Sequence, residues 1–72
     1  MIKIHLSKIL GEKRMTQKEL AERTEIRPAT IHEMYHELID RVNLEHLSSI
    51  CRVLNIQVED ILEYIPDKKS KF

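Results

Sequence analysis

Apolar residues recur at helical spacing through most of the chain. Leu6, Ile9 and Leu10 mark a first helix, from about His5 to Lys13. Ahead of it, Ile2 and Ile4 flank Lys3, an alternation that fits a short strand or an unstructured lead equally. Thr16-Gln17-Lys18-Glu19 reads as a capping box, in which the Thr16 hydroxyl accepts from the Glu19 amide and the Glu19 carboxylate reaches back. It predicts a second helix from Gln17 to about Thr24, with Leu20 and Ala21 inward. Pro28 suits a first helical turn, where its missing N–H costs nothing. The third helix is expected from Pro28 to about Glu37, with Ile31, Met34 and Tyr35 inward. Asn43 is a good N-cap for a fourth, Leu44 to Leu54, striped by Leu44, Leu47, Ile50, Cys51 and Leu54. A fifth, about Val58 to Tyr64, carries Val58, Ile61 and Leu62, and Pro66 stops it.

Five short apolar stripes have one economical solution, convergence on a single core. The expected fold class is therefore all-α, a compact five-helix domain spanning residues 1–72. Its core falls at about 5–66, with a charged tail at 67–72. Length sharpens this: a chain of 72 residues hides only about 60% of its unfolded surface, too little for a deep catalytic cleft. Aromatics make up 4% of the residues, which argues against a stacking platform for single-stranded nucleic acid. The one cysteine, Cys51, excludes an internal disulfide and any cysteine-only zinc site. Apolar runs are short, so no membrane span or secretory leader is read, and a cytoplasmic protein is expected.

Charge changes the picture through its distribution. The formal net charge is zero, from twelve basic and twelve acidic residues. Residues 1–27 hold seven Lys/Arg against four Glu, a net of +3. Residues 28–67 hold two Arg against eight acids, a net of −6, and Lys68, Lys69 and Lys71 return +3. The first third is the basic part.

That basic third leads into the segment with the most specific spacing. Leu20 and Ala21 precede the short turn Glu25-Ile26-Arg27, and Ile31 and Met34 follow three apart. Ala21 is small where two helices must approach closely, and Ile31 and Met34 seat the later helix so that its other face turns outward. This is the pattern of a helix-turn-helix, whose second helix enters the DNA major groove. Met15-Thr16-Gln17-Lys18-Glu19-Leu20-Ala21-Glu22-Arg23-Thr24, together with Thr30-Ile31 and Met34-Tyr35, resembles the Cro/CI-type (XRE, lambda-repressor-like) helix-turn-helix regulators. Leu47, Ile50-Cys51, Leu54, Asp60-Ile61-Leu62-Glu63-Tyr64 and Pro66 resemble the later helices of a small single-domain branch, so the likeness runs over about residues 6 to 67. The resemblance implies a sequence-specific double-stranded DNA-binding regulator, a repressor by promoter occupancy, working as a homodimer without enzymatic activity. The family usually places glycine in the turn and Ser or Thr before the recognition helix. Here Glu25 and Arg27-Pro28 stand there, so a strained or reshaped turn is expected.

On this reading Thr16 and Gln17, at a helix N-terminus, are expected at phosphates, with Lys18 beside them. The base-reading face is Arg27, Pro28, Ala29, Thr30, Glu33 and His36, with His32 flanking. Arg27 suits guanine or phosphate, Ala29 a thymine methyl and Glu33 the cytosine amine. Arg41 and Asn43, between helices three and four, are further backbone contacts. Ile61, Leu62, Tyr64 and Ile65 form the expected dimer interface, because a short terminal helix can bury only one side inward.

His32-Glu33-Met34-Tyr35-His36 spells H-E-x-x-H, a zinc-peptidase signature. No third ligand, sheet or cleft accompanies it, so no metal, cofactor or small-molecule ligand is expected. Cys51 reads as a small buried hydrophobe. The rival reading from another class is a protein-interaction module on the same fold, such as an antitoxin or antirepressor-like partner. Zero net charge with Glu25, Glu33 and Glu37 supports it.

Overall fold

The computed structural model describes residues 1–66. The tail assigned to 67–72 lies outside them. Five helices form, α1 (Leu6–Lys13), α2 (Gln17–Thr24), α3 (Pro28–Tyr35), α4 (Leu44–Leu54) and α5 (Val58–Ile61). Two three-residue strands, β1 (Ile2–Ile4) and β2 (Leu62–Tyr64), join the ends of the described chain. They pair antiparallel with Ile2 opposite Tyr64, Lys3 opposite Glu63 and Ile4 opposite Leu62.

The fold is the helical domain that the spacing predicts, with that small sheet added. The alternation at Ile2-Lys3-Ile4 resolves as a strand. The fifth helix is a correction: it stops at Ile61, and Leu62–Tyr64 is strand rather than helix. Hydrogen bonds to the N-terminal segment decide this. The Ile61 carbonyl accepts from the His5 N–H at 2.7 Å, and the Ile65 N–H donates to the Met1 carbonyl at 2.8 Å. Backbone groups at both ends of the segment thus find their partners on the residues flanking β1, which a longer helix would forfeit. Gln57 and Asp60 supply the capping box that starts the shortened helix.

Leu6, Leu20, Ile31, Met34, Ile50, Leu54 and Ile61 are sealed in one core, with Leu10, Ala21, Ile26 and Leu47 beside them. Tyr35, Met15 and Cys51 pack against it from its margin. Burial, and secondarily Asp60, push the Cys51 thiol above its ordinary range, as suits a packing role. Leu44 departs from its expected place inward, being 74% exposed as the first residue of α4, where Asn43 caps the helix.

The chain ends three helices and the turn after α2 without glycine. Arg14, Glu25, Glu37 and Asn55 all take the left-handed conformation at φ between 53° and 59°. The one glycine, Gly11, sits inside α1 with nothing within 4 Å of where a Cβ would stand. Gly11→Ala is therefore expected to stabilise the domain by about 0.5–1 kcal/mol. Calorimetry should show Tm rising by about 2–8 °C, and a fall would mean that α1 needs the bare backbone.

Glu37 shows what shortens α3 by two residues relative to expectation. Its N–H donates to the Met34 carbonyl, and that of Leu38 to the Glu33 carbonyl at 2.8 Å, the double closure that needs a left-handed residue. Its carboxylate then accepts from the Ile4 N–H at 3.1 Å and pairs with Lys3 at 3.6 Å. The Ile4 bond, then Lys3, holds the Glu37 carboxyl below its ordinary 4.5. A depressed folded value contributes stability above the ordinary carboxylate range and loses it as pH falls through the folded value. The protection factor of the Ile4 amide, the slowing of its exchange relative to the free chain, should therefore decline as pH falls through the folded value of Glu37, and in Glu37→Gln that decline should be absent.

Candidate nucleic-acid interface

The interface is built on α2, the turn and α3. Thr16 caps α2, its hydroxyl oxygen accepting from the Glu19 N–H at 3.0 Å. The reciprocal half of the expected capping box is replaced: the Glu19 carboxylate takes the Arg23 guanidinium at 3.0 Å, one helical turn on. Gln17 is the first residue of α2 and half-buried, and Lys18 is exposed. Both therefore lie where the first amides of the helix lack intrahelical partners and favour an anion.

The turn is tied from inside. Thr24, the buried polar residue of the core, donates its hydroxyl to the Leu20 carbonyl at 2.7 Å and accepts from the Ile26 N–H at 3.4 Å. Glu25 stands at φ 59°, ψ 24°, the conformation a glycine would supply. Ile26 is buried immediately after it. The turn that Glu25 was expected to strain or reshape thus keeps a left-handed geometry. An ordinary residue holds it at a cost of about 1–2 kcal/mol. Arg27 then precedes α3 with extended backbone, Pro28 opens the helix, and the Arg27 carbonyl accepts from the amides of Thr30 and Ile31.

Ile31 and Met34 face the core with Tyr35 at its margin, which presents the opposite side of α3 to solvent. Arg27, Pro28, Ala29, His32, Glu33 and His36 are exposed, and Thr30 is half-buried. The exposed strip is one helix wide, matching a major groove about 12 Å across. His32 and His36 lie against each other, ring centroids 4.4 Å apart, and Tyr35 meets His36 at 5.0 Å. Among the described residues no group of three or more His, Cys, Asp or Glu side chains converges to hold a metal ion. Within the H-E-x-x-H string, His32 and Glu33 are exposed on α3, His36 is its exposed C-cap, and Met34 between them is buried in the core.

Residues 5–67 match the family described as the Cro/C1-type HTH DNA-binding domain. The chain belongs to that Cro/C1-type family. It is also similar to an HTH-type transcriptional regulator of Bacillus subtilis (strain 168), named as uncharacterised and called YozG. The two are 32% identical over 69 residues, which cover 96% of this chain and 82% of the relative. The Cro/C1-type domain is a DNA-binding helix-turn-helix of transcription regulation, and its two helices correspond here to α2 and α3.

Not all the expected residues gather on this Cro/C1-type face. Asn43 caps α4, its side-chain oxygen accepting from the amides of Glu45 at 2.8 Å and His46 at 3.3 Å. Arg41 is exposed but lines a groove of about 420 Å³ beside the sheet. Ile61 is sealed in the core, Leu62 is half-buried, and Tyr64 is 67% exposed. Sequence reasoning overlooked Thr24 as the tie of the turn and Glu37 as the bridge from α3 to β1. Threonine at the end of a helix is a local signal for the first. The second depends on a contact between residues 33 positions apart and has no local signal.

Proposed function

We propose that this chain is a sequence-specific regulator that binds double-stranded DNA as a homodimer and represses by occupying a promoter. The observation that carries the reading is the seating of α3: Ile31 and Met34 fully buried, and a strip of Arg27, Ala29, Glu33 and His36 left to solvent. Such a helix has its apolar side spent on the fold and its polar side free for base edges. Thr16, Gln17 and Lys18 are the phosphate contacts, Asn43 being engaged as the cap of α4, and Pro28, Thr30 and His32 border the reading strip. One helix-turn-helix makes too few contacts to select a site alone. Two copies on half-sites about 34 Å apart multiply the selectivity. Residues 1–72 act as one domain in the cytoplasm, with no catalytic step and no cofactor.

Selection of bound fragments from a genomic DNA library at moderate salt tests this directly. Recovery of one two-fold symmetric sequence is the expected result. Two observations favour a second reading as a protein-interaction module: the formal net charge of zero and the exposure of Glu25 and Glu33 on the reading side. Absence of any duplex binding at about 50 mM salt, where phosphate contacts are strong, would decide for that module.

A further inference from the structure

The groove beside the sheet has a composition that α2 and α3 do not account for. The strand register places Ile2, Ile4, Leu62 and Tyr64 on one sheet face, Ile2 directly across from Tyr64. Ile2, Ile4 and Leu62 line one side of the groove, and Ile39 and Val42 from the segment between α3 and α4 line the other. Ile2 is 59% exposed, and Tyr64 and neighbouring Leu38 are exposed too. Small soluble domains rarely leave a continuous apolar surface of this kind uncovered.

Asp40 and Arg41 line the same groove, adjacent in sequence, exposed and opposite in charge. Among the described residues neither takes part in an ion pair. A partner carrying one sign of charge would meet attraction from one of them and repulsion from the other. A second copy related by a two-fold axis meets neither difficulty, because such an interface sets residue i against j and j against i. Asp40 then faces the partner's Arg41, Arg41 faces the partner's Asp40, and apolar walls meet apolar walls.

We propose that this groove is the self-association surface of the chain, closed by a second copy with reciprocal Asp40–Arg41 pairs. The proposal rests on the homodimer part of the reading above and names its surface. Of the interface expected from sequence, it keeps Leu62 lining the groove and Tyr64 on the same sheet face, while half-buried Ile65 does not line the groove. It replaces sealed Ile61 with Ile2, Ile39 and Val42, and it gives Arg41 to the partner rather than to a phosphate.

Sedimentation of the full chain, with Asp40→Arg, Arg41→Asp, the double exchange, Val42→Asp and a chain truncated after Pro66, tests it. The unaltered protein should be a dimer at tens of micromolar. Each single charge reversal should weaken the dimer by about tenfold or more, because like charges then face each other across the axis. The double exchange restores opposite charges and should return dissociation to within about threefold. Val42→Asp should give a monomer with unchanged helix content. A dimer indifferent to these variants would overturn the groove assignment while leaving the homodimer reading intact. A monomer that still selects one DNA sequence would overturn both groove and dimer but not DNA reading. A monomer that pairs only after truncation would show the tail as occupant and overturn the second copy.

Discussion

Ile31→Ala should lower the stability of the folded domain by about 2–5 kcal/mol. Ile31 is 0% exposed and lies on the side of α3 that packs against α2 and α1. Truncation removes three carbons from a core whose other members, Leu20, Met34 and Ile50 among them, are themselves sealed side chains that cannot all shift to fill the space. A domain of this size has about 4–11 kcal/mol in total. The variant therefore spends a large share of it, and Tm should fall by at least about 10 °C. Urea unfolding followed by circular dichroism checks this, with the slope unchanged if only packing is lost. Val58→Ala supplies the contrast: that side chain is 50% exposed, and the loss should stay below about 1 kcal/mol. Equal losses at Ile31 and Val58 would contradict the seating of α3.

The same seating explains why so much was legible in the sequence. Residues at helical spacing with buried neighbours are over-determined. Leu20, Ala21, Ile31, Met34, Leu47, Ile50 and Leu54 each report the same face, and all lie in the core. Caps added the boundaries. Asn43 starts α4 where its side chain can accept two amides, and α4 ends at Leu54, just before left-handed Asn55. The outward strip of α3 followed, because fixing Ile31 and Met34 inward leaves Arg27, Ala29 and Glu33 no other direction.

What was illegible was made by pairing across the chain. Ile61, Leu62 and Ile65 near Val58 read as a helical stripe, and nothing local reveals that Leu62 lies opposite Ile4. Three-residue strands carry too little periodicity to be seen alone, and a ladder between residues about sixty positions apart overrides local preference. The apolar stripe also misplaced Leu44, since the first residue of a helix lies on its rim. The groove combines three separate segments, and nothing local to Arg41, read from the sequence as a phosphate contact, shows that it lines the same groove as Ile2 and Leu62.

The contacts to DNA should separate into two kinds. In Gln17→Ala, affinity should fall by about 0.5–1.5 kcal/mol per half-site for every duplex alike, because a bond to a phosphate carries no sequence information. Arg27→Ala and Glu33→Ala should instead alter which sequence is preferred, each by about 1–3 kcal/mol per half-site. The effect at Arg27 should be the larger. A guanidinium offers paired donors to guanine, whereas Glu33 accepts a single bond from a cytosine amine and also repels nearby phosphates. For the same reason Glu33→Ala should raise affinity for unrelated duplexes while it lowers discrimination. Two half-sites double each term, so Arg27→Ala reaches about 2–6 kcal/mol on a full operator. Selection from a library randomised at the half-site, followed by titrations at several salt concentrations, measures both quantities. The salt slope should be shallow in all variants, since Lys18 is the one lysine or arginine among the proposed phosphate contacts. A uniform loss across sequences in Arg27→Ala, with no change of preference, would move that residue from base edge to backbone and leave α3 without its principal reader.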